Sequence, residues 1–140
     1  MDRPGVGLGI LVCREFDLKI LLGIRKNAHG AGTWQPPGGH LEKYESFHDC
    51  VRREGREETG MDLTVIDEHP VAVTNDMFPE NDKHYVTLFF RATAAGQEPR
   101  VMEPDKCEEW RWFYWQELPS NLFLPVQNLI KQGYCPFEIK

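Results

Sequence analysis

The stretch from Ser46 to Gly60 constrains this chain more than any other. A serine at a candidate N-cap and a glycine at a candidate C′ position bracket a run with helical spacing. With Phe47 at the origin of a helical projection, Val51 falls at about 40° and Cys50 at about 300°, an apolar stripe that has to face a core. Glu54 then falls at about 340°, Glu58 at about 20° and Glu57 at about 280°, continuing that stripe. Arg52, Arg53 and Arg56 fall between about 140° and 240°, away from it. Carboxylates held together at reduced solvation repel one another, which costs stability unless a cation offsets the charge. Mg²⁺ takes hard oxygen ligands, retains water and is commonly completed by substrate phosphates, so it suits such a cluster.

The rest of the pattern supplies a sheet for this helix. Residues 6–12 and 19–25 are apolar runs around the charged turn Arg14-Glu15-Phe16-Asp17 and read as a hairpin. Residues 26–39 form a loop rich in glycine and proline, longer than a plain connection needs. Residues 63–73 and 85–94 read as strands from their β-branched and aromatic content, with a polar loop over 74–84 between them. Residues 108–115 alternate, with Trp110, Trp112 and Tyr114 on one side, and 125–131 resume helical spacing after Pro125. The class is α/β, a mixed sheet flanked by helices. A length of 140 residues fits a single domain over 1–140.

Composition narrows the function. The net charge of −6 argues against electrostatic binding to a nucleic-acid polymer, yet leaves phosphate substrates open because a divalent cation can supply positive charge. No apolar run is long enough for a membrane span, and Met1-Asp2-Arg3-Pro4 starts no signal peptide, so a cytoplasmic protein is expected. Cys13, Cys50, Cys107 and Cys135 form no C-x-x-C pair and read as reduced, structural thiols rather than a zinc site.

Around the helix the spacing is specific. Counting from Gly39, five residues lead to Glu45, seven more to Arg53-Glu54, two to Glu57-Glu58, and one to Gly60 and the apolar Met61. Seven fixed positions match by chance with a probability on the order of 10⁻⁸ per register. This G-x5-E-x7-R-E-x-x-E-E-x-G-U pattern resembles the signature of the Nudix hydrolases. Arg3-Pro4-Gly5-Val6-Gly7, Leu21-Leu22-Gly23, Gly30-Ala31-Gly32, Pro37-Gly38-Gly39-His40-Leu41-Glu42, His84-Tyr85-Val86, Glu103-Pro104-Asp105-Lys106 and Gln132-Gly133-Tyr134 extend the likeness. They are similar to segments of the MutT-type nucleoside triphosphate diphosphatases of plants and vertebrates.

The resemblance implies a Nudix α/β/α sandwich with a mixed sheet and a loop–helix–loop catalytic box. It implies Mg²⁺-dependent hydrolysis, with Mn²⁺ as an alternative, of ordinary, oxidised or non-standard nucleoside triphosphates to a monophosphate and pyrophosphate. Glu54, Glu58 and the Gly38 carbonyl are implied metal ligands. Glu57 holds a second metal or positions water, Arg53 orients the carboxylates, and Glu45 supports the box. The general base stays open between Glu54 and an acid outside the box, for which Glu108 is the candidate; Glu108 reads equally as a rim charge beside Trp110. Arg25, Gln35, Gly39 and His40 match substrate-facing positions. Thr87 and Phe123 line a base pocket, Phe123 either by stacking or as part of the core. The relatives are homodimers acting on small nucleotides, with no nucleic-acid polymer or membrane partner.

Departures are Gly55 in mid-helix, Pro36, and Leu124-Pro125. Alternatives that keep the chemistry are hydrolysis of an isoprenyl diphosphate or of dihydroneopterin triphosphate. An alternative of another class is a Nudix domain that binds nucleotide without hydrolysis.

Overall fold

The apolar strand β1 (Gly5–Arg14) organises the molecule because its two edges are used differently. A computed structural model describes residues 2–137. Residues 1 and 138–140, the ends of the expected domain, lie outside the described residues. Along one edge, β1 pairs in parallel with β7 (Lys83–Thr93), in register from Gly5↔Tyr85 to Val12↔Ala92. The other edge is shared. β4 (Gly38–His40) pairs with Gly7, Leu8 and Gly9, and β2 (Lys19–Arg25) pairs only with Cys13 and Arg14. The Ile10 N–H donates to the Pro37 carbonyl at 2.8 Å, so the expected hairpin is pried apart by the loop that follows it. That loop contains β4 and the two-residue β3 (Trp34–Gln35), which pairs with β2.

α1 (Phe47–Thr59) covers one face of the sheet, and α2 (Leu124–Lys131) covers the other. The Ser46 hydroxyl accepts from the Asp49 N–H, and Gly60 closes α1 at φ 74°, a left-handed conformation suited to glycine. Alternation along β1 and β2 sorts the core. Leu8, Ile10, Val12 and Leu21 pack with Cys50 and Val51 of α1, together with Phe90. Leu11 and Phe89 pack with Leu129 of α2, and Ile20 and Leu22 pack with Val126. Gly55 sits where a β-carbon would press into the Leu63 side chain. The mid-helix glycine therefore allows a close approach of the chain that leaves the helix.

Two sequence expectations need correction. Only β5 (Thr64–Val65) and the start of β6 (Ala72–Phe78) are strand within residues 63–73, with the Asp67 to Pro70 stretch turning between them. The polar run expected as loop continues β6 through Phe78, antiparallel to β7. Its buried polar side chains, Thr74 and Asp76, are hydrogen-bonded and so tolerate burial in the sheet. In β8 (Cys107–Tyr114), Trp110 and Trp112 pack against the α1-side core, whereas Tyr114 is exposed. The four cysteines are free, and burial raises the Cys13 and Cys50 thiols to about 12, which makes them inert packing groups. Among the described residues no helix is long and apolar enough to cross a membrane.

Phe90 is fully buried and meets the rings of Phe47 and His48 of α1 at 5.7 and 5.9 Å. Phe90→Ala is expected to cost about 3–5 kcal/mol, read as a lower denaturant midpoint at an unchanged m-value. A loss below about 1 kcal/mol would show that α1 does not depend on this contact.

Candidate active site

Arg53 assembles the acidic end of α1. Its Cα lies off the buried azimuth, but the long side chain reaches back, contrary to the projection. Nε donates to Glu45 Oε2 at 2.7 Å, and Nη2 donates to Glu45 Oε1 at 2.9 Å and to the His40 carbonyl at 3.0 Å. Nη1 donates to Glu54 Oε1 at 2.5 Å and lies 3.3 Å from Glu57 Oε2. One planar fork thus ties the loop after β4 to the helix, an arrangement that a lysine cannot reproduce. The guanidinium beside Glu45 holds that carboxyl down at about 2. Glu45 thus accepts both hydrogen bonds of the Nε–Nη2 edge of Arg53.

The other acids sit against backbone. Glu54 is 9% exposed. Burial raises its carboxyl to about 7 despite Arg53. Glu58 is raised to about 8, again by burial first, although the Gly38 N–H donates to its Oε1 at 3.0 Å. A β-carbon on Gly39 would overlap the Glu54 carboxylate, and one on Gly38 would overlap the Leu8 carbonyl. Only glycine lets β4 lie between β1 and these acids.

This donor set fits a hard cation. Glu54 and Glu58 offer carboxylate oxygens whose negative charge is only partly offset, and Glu57 stands exposed at the mouth. Among the described residues no group of three His, Cys, Asp or Glu side chains converges as a complete cage. A hard cation held by Glu54 and Glu58 would take its remaining ligands from water and substrate phosphates.

The acids open onto a cleft of about 870 Å³. Gly38, Gly39, Arg53, Glu54, Glu57 and Glu58 line one end; Arg25, Gln35, His40, Thr87 and Phe123 line the remainder. Arg25 donates to Gln35 Oε1 at 2.5 Å and to the His29 carbonyl at 2.9 Å, and lies 4.0 Å above the Phe123 ring. Phe123 is therefore a wall of the cleft. His40 stacks on Tyr85 at 5.2 Å. Glu108 is not brought to the cleft. It is exposed on β8, beyond a register shift between Gly23↔Trp110 and Arg25↔Cys107 that breaks the alternation carried by Trp110 and Trp112.

Several cleft residues escaped the sequence reading. Lys26 and Lys106 add cations, and the Lys26 N–H donates to the Lys106 carbonyl at 2.9 Å, binding the two loops together. His29 and Phe78 complete an aromatic wall with Phe123, Phe78 stacking on Phe123 at 5.3 Å. The buried His29 Nε2 has no hydrogen-bond partner, and burial lowers the imidazole to about 4, so the ring is neutral at physiological pH. Loop composition gave no sign of His29 or Phe78. Lys106 and Tyr85 lay within segments carrying the resemblance.

The NUDIX domain family matches residues 3–132. An oxidized purine nucleoside triphosphate hydrolase of Danio rerio is 31% identical, over 86% of this chain and 80% of that protein. A NAD-capped RNA hydrolase, NudC, of Stutzerimonas stutzeri (strain A1501) is 36% identical over 86% of this chain. The chain spans 39% of the length of that relative. The crystal structure of a MutT NUDIX hydrolase from Burkholderia pseudomallei superposes with a TM-score of 0.81 at 33% identity, covering 95% of this chain and 100% of the other.

Acids whose pKa rises on folding bind protons more tightly in the native state, so their contribution to stability falls as pH rises from the unfolded value, 4.5, through about 7 and 8. With metal chelated, the melting temperature is expected to fall between about pH 5 and pH 8. The Glu54→Gln/Glu58→Gln variant should flatten that slope. Mg²⁺ should raise the melting temperature more at pH 8 than at pH 5. Equal slopes in the two proteins would refute the assignment.

Proposed function

The chain belongs to the Nudix hydrolase family, and from that premise we propose that it hydrolyses nucleoside triphosphates, ordinary or oxidised, to a monophosphate and pyrophosphate with Mg²⁺. The observation that carries this reading is the polarity of the cleft. The carboxylates of Glu54, Glu57 and Glu58 share the cleft with Arg25, Lys26 and Lys106 and with the rings of His29, Phe78 and Phe123. A polyphosphate joined to a planar base matches that sequence of cation site, basic rim and ring-sized wall. The Danio rerio relative supports it by the length and identity of the match.

Bound Mg²⁺ offsets charge on the phosphates and makes a water more acidic. The chain's own residues do the positioning. Arg53 fixes the orientation of Glu54 through Nη1, and Gly38 fixes Glu58. Because burial raises both carboxyls, cation binding competes with protonation. Arg25, braced by Gln35 and the His29 carbonyl, presents a fixed cation to the phosphate chain. With Glu108 turned away, the base is assigned among the box acids, with Glu54 and Glu57 as the alternatives.

A second reading takes its support from the NudC match, in which the same machinery would cut the pyrophosphate of a dinucleotide. A panel of ordinary and oxidised triphosphates, NAD⁺ and isoprenyl diphosphates, incubated with Mg²⁺ and resolved by chromatography, separates the readings. Conversion of a triphosphate to monophosphate and pyrophosphate is the expected result, and turnover of NAD⁺ alone would promote the second reading. Glu58→Gln should lower kcat/KM at least about 100-fold, equivalent to about 3 kcal/mol of lost transition-state stabilisation, with the fold intact. Wild-type-like turnover in that variant would remove Glu58 from the chemistry. In oxygen-18 water, label entering the monophosphate marks attack at the α-phosphorus; label entering pyrophosphate marks attack at the β.

A further inference from the structure

Asp76 is fully buried, yet none of the ion pairs among the described residues includes it. Neutral donors hold it instead. Its Oδ2 accepts from the Thr87 hydroxyl at 2.6 Å and the Thr74 hydroxyl at 3.0 Å, and its Oδ1 accepts from the Asn128 amide of α2 at 2.9 Å. Asp76 does not line the cleft, but Thr87 does. A carboxylate buried without a cation is costly, and apolar packing could fill the same place on β6, so its consequence for Thr87 is informative.

A threonine hydroxyl has one proton and two lone pairs. Here the proton is committed to Asp76, so the oxygen has only lone pairs to offer a ligand. Thr87 is 7% exposed and lines the cleft. Gly7, opposite it in the sheet, sets no side chain over that oxygen; even a β-carbon there would lie 3.9 Å from Oγ1. Tyr85 and Phe89 flank Thr87 on the same face of β7, and His29, Phe78 and Phe123 line the same cleft, the His29 ring lying parallel to Tyr85 at 6.4 Å. A flat ring held along this wall meets an acceptor. A base with a ring N–H satisfies it, whereas a base with a bare ring nitrogen opposes lone pair to lone pair.

We propose that Asp76, acting through Thr87 as a positioning residue, makes the cleft select bases that carry a ring N–H, the guanine and uracil type, over the adenine and cytosine type. This inference rests on the nucleotide reading above and names the substrate class within it.

The test measures base preference without turnover. Calorimetry of the metal-free protein with GMP, AMP, UMP and CMP reports affinity, while Mg²⁺-dependent hydrolysis is assayed separately. GMP is expected to bind about tenfold or more tighter than AMP, and UMP tighter than CMP, because an unpaired buried acceptor penalises the wrong edge. Thr87→Val removes the acceptor at constant shape and should bring both ratios near unity. Thr87→Ser should keep them. Asp76→Ala frees the Thr87 hydroxyl to turn, and should also collapse the ratios while circular dichroism reports a retained fold; loss of packing alone would weaken all four nucleotides alike. Equal affinities in the wild type, a preference for AMP and CMP, or ratios unchanged by Thr87→Val would overturn the proposal. Base preference without hydrolysis would leave it standing and fail the catalytic reading instead; hydrolysis without base preference would do the reverse.

Discussion

The Arg53 fork is the interaction on which the site depends. A single guanidinium reaches Glu45, the His40 carbonyl and Glu54, joining the chain that leaves β4 to the helix that follows. Without it, Glu54 would lose the cation paired with its carboxylate, and Glu45 would lose its tie to α1. The fork also explains how an acidic helix end can be packed inward. Arg53 neutralises part of the charge and leaves the rest for a ligand cation to offset.

That packing in turn depends on β1 sharing one edge between two partners. Because β2 leaves β1 after Cys13 and Arg14, the segment from Pro37 to His40 can lie along Gly7 to Ile10. The glycines at 38 and 39 bring backbone where side chains would collide with Leu8 and Glu54. The same edge-sharing lets Gly7 and the buried Thr87 line the cleft while Leu8 and Ile10 pack under α1 on the other face. One strand therefore holds the core together and floors the site. The resulting burial raises Glu54 and Glu58, so the packing that would suit these acids to a cation also weakens the free protein at neutral pH.

The sequence was most informative where neighbours along the chain decide the outcome. The caps Ser46 and Gly60 bound α1 as their residue types require, and the spacing from Gly39 to Met61 marked the acidic machinery. It was least informative where polar residues are buried. Thr74 and Asp76 have the composition of a loop, and their burial in a strand is offset by the hydrogen bonds that Asp76 accepts from the Thr74 and Thr87 hydroxyls and the Asn128 amide. Glu108 shares the sequence parity of Trp110, but the register shift opposite Gly23 and Arg25 re-aims it. Arg53 misled the helical projection because a projection places Cα atoms, whereas a long side chain is directed by the charges within its reach.

The sequence by itself determined the helix, its caps, the alternating strands and the spacing that sets three acids and an arginine at one helix end. These follow from backbone geometry and steric preferences that act over a few residues. Only the tertiary structure decided that His29, Phe78 and Phe123 share a wall, that Lys26 and Lys106 meet, and that the Thr87 proton belongs to Asp76. The physical reason is that burial and the choice of hydrogen-bond partner are set by groups far apart in the chain, whose meeting is fixed by strand register and helix packing rather than by any local preference.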